Sequence, residues 1–218
     1  MNPGTGTPEG FLANRLKHAL HTQVDSLFYC TGVTTTYTHL AKVGETLGEF
    51  CVNQGSRAVQ LRENVRALKA AGHDTLTLAV EFCHRNNLEI FFSHRINDIH
   101  DSIPRLDYFL SRWKREHPEY LLGRPEDTKK YPMEDPRYWW SALDFEKPEV
   151  LDYLCRIQED VFQRYDIDGV EIDYFRSPMF FRPNLEFQPA MPAQVEMLTG
   201  FQRGIREAAY RQGNRRGR

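Results

Sequence analysis

Runs of alternating apolar and polar residues punctuate the chain, and between them apolar residues recur three and four positions apart. Alternation at every second residue predicts half-buried strands, and the three-to-four spacing predicts helices with one apolar stripe. The aromatic-rich run Ser26-Leu27-Phe28-Tyr29-Cys30-Thr31-Gly32 predicts the first strand. In the second, Leu88, Ile90 and Phe92 fall on one side, with Glu89, Phe91, Ser93 and Arg95 on the other. Trp139-Trp140-Ser141-Ala142-Leu143-Asp144-Phe145 predicts a third, ending in Asp144. The fourth lies between the turn pair Asp168-Gly169 and Ser177-Pro178, where Val170, Ile172 and Tyr174 alternate with Glu171, Asp173 and Phe175.

Helices fill the intervals. Thr7-Pro8-Glu9 is a capped start for a stripe of Phe11, Leu12, Leu16 and Leu20. Leu61, Val65 and Leu68 form a second stripe stopped at Ala71-Gly72, and Asp74 caps a third through Leu76, Ala79, Val80 and Cys83. Pro104 to Trp113 reads as another helix, and Pro148 opens a long one with Val150, Leu154, Ile157 and Val161. Val195, Leu198, Phe201 and Ile205 mark the last. The polar stretch from Val33 to Gln54 is expected to be a long functional or disordered loop, and His117 to Arg137 has no assignable element.

Strand followed by helix, four times over, is the order of a parallel α/β fold. Polar side chains just past the strand ends suit the mouth of a (β/α) TIM-type barrel, which takes about 250 residues and eight strands. The expectation is therefore a single domain over residues 1–218 holding the N-terminal half of such a barrel, about four strand-helix units. Its open sheet edges would be covered by a missing C-terminal half or by homo-oligomerisation.

Composition narrows the function classes. With 40% hydrophobic and 27% charged residues and a net charge of −2, no basic field points to nucleic acid. The arginine-rich end, residues 211–218, is expected to be a disordered basic tail. Cys30, Cys51, Cys83 and Cys155 have neither zinc-like nor disulfide-framework spacing, and no cofactor motif stands out. No leader or membrane-length apolar run is visible, so a cytoplasmic protein without a membrane partner is expected.

The chemistry concentrates on the fourth strand. Glu171 and Asp173 are two residues apart, so they share one face while Val170 and Ile172 take the packing face. Asp173 ends the strand, where parallel folds place their sites. Glu171 is read as a catalytic carboxyl beside Asp173, as a deeper residue that holds Arg95 or orients Asp173, or as half of a buried ion pair. The exit of the second strand supplies Arg95, Asn97, Asp98 and His100, side chains suited to sugar hydroxyls; Asn97-Asp98 could equally turn the chain, with Asp101 capping the next helix. Asp144, Tyr174 and Arg176 complete the strand-end set, and Tyr37 on the first long loop could touch substrate. Read as ligands, His94, Asp98 and His100 leave open a metal-dependent hydrolase, although their spacing matches no recognised metal motif.

The pattern resembles a known group: Leu27-Phe28-Tyr29-Cys30, Lys42-Val43-Gly44-Glu45, Arg95-Ile96-Asn97-Asp98-Ile99-His100-Asp101, Leu143-Asp144-Phe145, then Asp168 to Arg176. It is similar to the glycosyl-hydrolase-like barrels, bacterial proteins distantly similar to α-amylase-type and family-ten-type glycosidases, over roughly residues 22 to 178. The resemblance implies a glycoside hydrolase acting on a poly- or oligosaccharide, with Asp173 at the strand-four nucleophile position. The later strands of such barrels have no counterpart here. A non-catalytic carbohydrate-binding barrel remnant is the alternative the same residues allow.

Overall fold

The computed structural model describes residues 6–50 and 54–215. Strand β1 (Ser26–Tyr29) leads into β2 (Thr36–Tyr37) and β3 (Glu45–Thr46), and β4 (Glu89–Arg95) and β5 (Gly169–Asp173) come much later in the chain. The main sheet is parallel with the order β1-β4-β5, and β2 and β3 form a separate parallel pair. Helices α1 (Pro8–Arg15), α2 (Ser56–Ala70), α3 (Thr75–Arg85), α4 (Arg112–Glu116), α5 (Pro148–Arg164) and α6 (Pro192–Arg215) complete the fold.

Period-two alternation decides which face of the sheet is covered. Ile90 and Phe92 are wholly buried, and Leu27, Tyr29, Val170 and Ile172 pack with them into the main core. Helix α5 contributes Val150, Leu154, Ile157 and Val161, at most 1% exposed, from the stripe its 3.6-residue period sets on one side. Helix α3 begins where the Asp74 carboxylate accepts from the N–H groups of Leu76 and Thr77, both at 2.9 Å. The other Asp74 oxygen accepts from the Tyr165 hydroxyl at 2.7 Å, tying the start of α3 to the end of α5.

The opposite face is open. Phe28 is 56% exposed and stacks on Phe91 with ring centroids 4.7 Å apart. Gly169 is there for room, since a Cβ would stand 2.4 Å from the Phe91 ring. Between β4 and β5 the chain makes a long excursion through short 3-10 turns, α4 and α5. A buried ion pair anchors it: Lys114 Nζ lies 2.7 Å from Asp101 Oδ2, both side chains at most 1% exposed, and Ser141 donates to the other Asp101 oxygen.

Several expectations are corrected. Trp139–Phe145 is not a strand. Leu143 makes one isolated antiparallel bridge with Leu121, and the backbone N–H groups of Leu143, Asp144 and Phe145 go to Asn97 Oδ1, Tyr120 O and Phe180 O. Those bonds leave no ladder to join, so β5 pairs directly with β4. The barrel is therefore not formed among the described residues: the architecture is mixed α/β with a three-stranded parallel main sheet. The loop after β1 is largely buried rather than loose, and Pro104–Trp113 breaks into a 3-10 turn and α4. Asp101 is an ion-pair partner rather than a cap. Of the expected tail over residues 211–218, residues 211–215 belong to α6 and residues 216–218 lie outside the described residues. No helix among the described residues is long and apolar enough to cross a membrane.

Removing one member of a buried pair strands the other, so Lys114→Met is expected to destabilise the fold by roughly 3–5 kcal/mol. Urea unfolding measures it; a midpoint matching the parent would show that Asp101 is not held by Lys114.

Candidate active site

Parallel pairing of β4 with β5 sets Arg95 beside Asp173 at the carboxyl end of the sheet. The Asp173 carboxylate folds back over its own exit turn: Oδ1 accepts from the N–H groups of Phe175 and Arg176, each at 3.0 Å. Its Oδ2 lies 3.9 Å from Arg95 Nε, and the side chain stays 26% exposed. Arg95 also reaches the other way, with Nη1 3.4 Å from Asp98 Oδ2.

Asp98 is the centre of this group, with a carboxylate wholly shielded from solvent. Oδ1 accepts from the His100 N–H at 3.0 Å and from His100 Nδ1 at 2.5 Å, while Arg176 Nε stands 3.9 Å from Oδ2. Burial alone would raise the Asp98 pKa; the His100 hydrogen bonds and the Arg95 charge outweigh it and hold the carboxyl below its usual range. Arg176 Nη2 donates to His100 Nε2 at 2.8 Å, so that nitrogen accepts and Nδ1 carries the hydrogen given to Asp98. His100 is thus a bridge between a buried carboxylate and an exposed guanidinium. The Asp98 backbone is fixed separately, its N–H donating to Thr34 Oγ1 at 2.6 Å.

Over this group opens a cavity of about 440 Å³. Arg95, Asp98, His100 and Arg176 line one side, and Asp173 adjoins it through Arg95. Cys30 and Thr31 from the β1 exit, Tyr108, and two arginines, Arg15 at the end of α1 and Arg57 in the first turn of α2, line the rest. Burial pushes the Cys30 thiol up, and its Sγ donates to Gly32 O at 3.1 Å.

Other expected site residues go elsewhere. Glu171 does share a face with Asp173, but that is the open face: it is exposed, and no hydrogen bond or ion pair holds it among the described residues. It neither binds Arg95 nor sits in a buried pair, because no further strand covers that side of β5. Asn97 is 1% exposed and structural, donating to Met179 O and accepting from the Leu143 N–H. Asp144 is 2% exposed; it accepts from the Glu146 N–H at 3.1 Å and lies 3.8 Å from Arg182, and burial raises its pKa. Tyr174 alternates onto the helix side against Phe180.

Tyr37 is 1% exposed, so it packs inside rather than meeting substrate. Its hydroxyl donates to Thr34 O and lies 3.0 Å from His94 Nε2, which itself donates to Thr34 O at 2.9 Å. Gln158 holds His94 Nδ1. With both ring nitrogens engaged in the core, His94 does not converge with Asp98 and His100, and no group of three potential metal ligands exists among the described residues. The metal-site reading is corrected accordingly. Arg15 and Arg57 are not visible as site residues in the sequence because each is an ordinary polar position on an amphipathic helix; only the fold places both on the wall of one cavity.

A three-stranded parallel sheet with helices packed on one face, and a carboxylate–arginine cluster at its strand ends, defines a mixed α/β protein. Residues 14–186 match the family described as glycosyl hydrolase-like 10, and the chain belongs to that family. No curated protein matches the sequence.

The buried histidines give the fold an acid limit. Burial lowers His94 to a pKa of about 4 and His39, whose Nδ1 lies 2.7 Å from Thr31 Oγ1, to about 3. An unfolded histidine titrates near 6.5, so stability is full above that pH and falls as pH drops towards the folded values, by about 1.4 kcal/mol per pH unit per histidine. Urea midpoints should hold between pH 7.5 and 6.5 and then fall steadily to pH 4.5, less steeply in His94→Gln. A flat profile would contradict this account.

Proposed function

We propose that the chain acts on glycosidic bonds of a poly- or oligosaccharide bound over the carboxyl ends of β4 and β5. The observation that carries this reading is Asp173: a strand-end carboxylate with one oxygen fixed by two backbone N–H groups and the other beside Arg95, partly exposed next to an arginine-lined cavity. Membership of a glycosyl hydrolase-like family supports this reaction class. In this role Asp173 faces the anomeric carbon as nucleophile or as stabiliser of an oxocarbenium-like transition state. Arg95 and Arg176 offer donors to sugar hydroxyls from a rim that Asp98 and His100 hold in place.

Hydrolysis normally uses two carboxyl groups, about 5 Å apart for retention and roughly 6.5–9.5 Å for inversion. Asp98 is shielded, with its oxygens already engaged, Asp144 is occupied by Glu146 and Arg182, and Glu171 points to the open face. This occupancy favours, as a second reading, saccharide binding without turnover.

A hydrolysis screen on aryl glycosides and glycans, with Asp173→Asn beside the parent, separates the two. Turnover should fall roughly 10²–10⁴-fold in the variant while saccharide affinity holds within a few-fold. Saturable binding with no turnover in a folded parent would favour the binding protein, and undiminished hydrolysis in the variant would remove Asp173 from the chemistry.

A further inference from the structure

The charges around the strand-end cavity do not balance. Four arginines line it, Arg15, Arg57, Arg95 and Arg176, against one carboxylate, Asp98. Arg95 and Arg176 are compensated: both lie within 4 Å of Asp98, and Arg95 also stands 3.9 Å from Asp173. Arg15 and Arg57 make no ion pair among the described residues, and both are exposed. Two arginines without an ion-pair partner among the described residues therefore line one cavity in a protein whose net charge is −2. A concave site of one sign concentrates ligands of the other, and guanidinium forks suit the paired oxygens of carboxylates and sulfates.

We infer that Arg15 and Arg57 form an oxyanion subsite, so that the saccharide taken by this cavity carries an acidic substituent, a carboxylate or a sulfate ester. The saccharide part of this inference rests on the function proposed above; the anion subsite rests on the two arginines alone. The two helices set the distance between the acidic group and the reacting bond: Arg15 comes from the end of α1 and Arg57 from the start of α2, whereas Asp173 comes from the end of β5. Selectivity for acidic sugars is then separable from bond cleavage.

The test uses two kinds of ligand, inorganic sulfate and oligosaccharides, and one double variant, Arg15→Gln/Arg57→Gln. With inorganic sulfate as probe, the thermal midpoint of the parent should rise with concentration and that of the double variant should not; equal shifts, or none, would overturn the subsite even if sugars bind. With oligosaccharides of equal length, uronate-bearing or sulfated chains should bind about tenfold tighter than the neutral one, the effect of one charge-assisted hydrogen bond, and the double variant should bring that ratio close to one. The uronate and sulfate arms identify which acid is preferred. A preference that persists in the double variant, or a parent that does not distinguish acidic from neutral chains, overturns the inference while leaving glycosidic chemistry standing. A sulfate response confined to the parent, with no saccharide of either kind bound, keeps the anion subsite but overturns the carbohydrate function.

Discussion

A carboxylate denied contact with water is among the most expensive groups a fold can hold, and Asp98 is one. Its position dictates much of the strand-end surface. His100 must turn back to satisfy Oδ1 twice, Arg95 must lean from the end of β4, and Arg176 must return from the β5 exit to share the charge and orient the imidazole. Thr34, in turn, must bring the loop after β1 down onto the Asp98 backbone. Exits from all three strands of the main sheet are thereby drawn to one point, and the cavity is the space left above it.

The same economy explains the buried loop between β1 and β3. A threonine-rich stretch looks solvated by composition, yet its hydroxyls replace ladder bonds: Thr35 donates to Ser111, Thr36 to Phe109 O, and Thr38 to Thr31 O. Asp160 adds a fixing point by accepting from the Lys42 N–H at 2.9 Å, joining the loop to α5. The loop is a lining between sheet and excursion, and Tyr37, His39 and His94 are its packed interior.

Local chemistry made much of this legible in advance. The Thr7 and Asp74 caps, the stripe of α5 and the alternation of β4 and β5 arise from side-chain stereochemistry acting over a few residues. Arg95, Asp98, His100, Asp173 and Arg176 could be singled out because they stand just beyond such elements. What escaped were relations set by the rest of the chain. Trp139–Phe145 has strand-like composition, but its N–H groups are claimed by Asn97, Tyr120 and Phe180 from distant positions. Asn97 and Tyr37 have the side chains of ligands and the burial of core residues, a difference only the fold decides.

Glu171 acquires a different meaning once β5 is seen as the outermost strand of the sheet. A short apolar strand with a free margin is a template for unwanted pairing with another chain. Glu171 stands at the midpoint of Gly169–Asp173, unpaired and exposed. Two copies of β5 laid antiparallel about that midpoint would set carboxylate against carboxylate, a directly opposed like-charge pair that disfavours the contact. The residue that shares a strand face with Asp173 thus also sets a charge at the middle of the sheet's outer strand, one of the features by which edge strands resist such pairing.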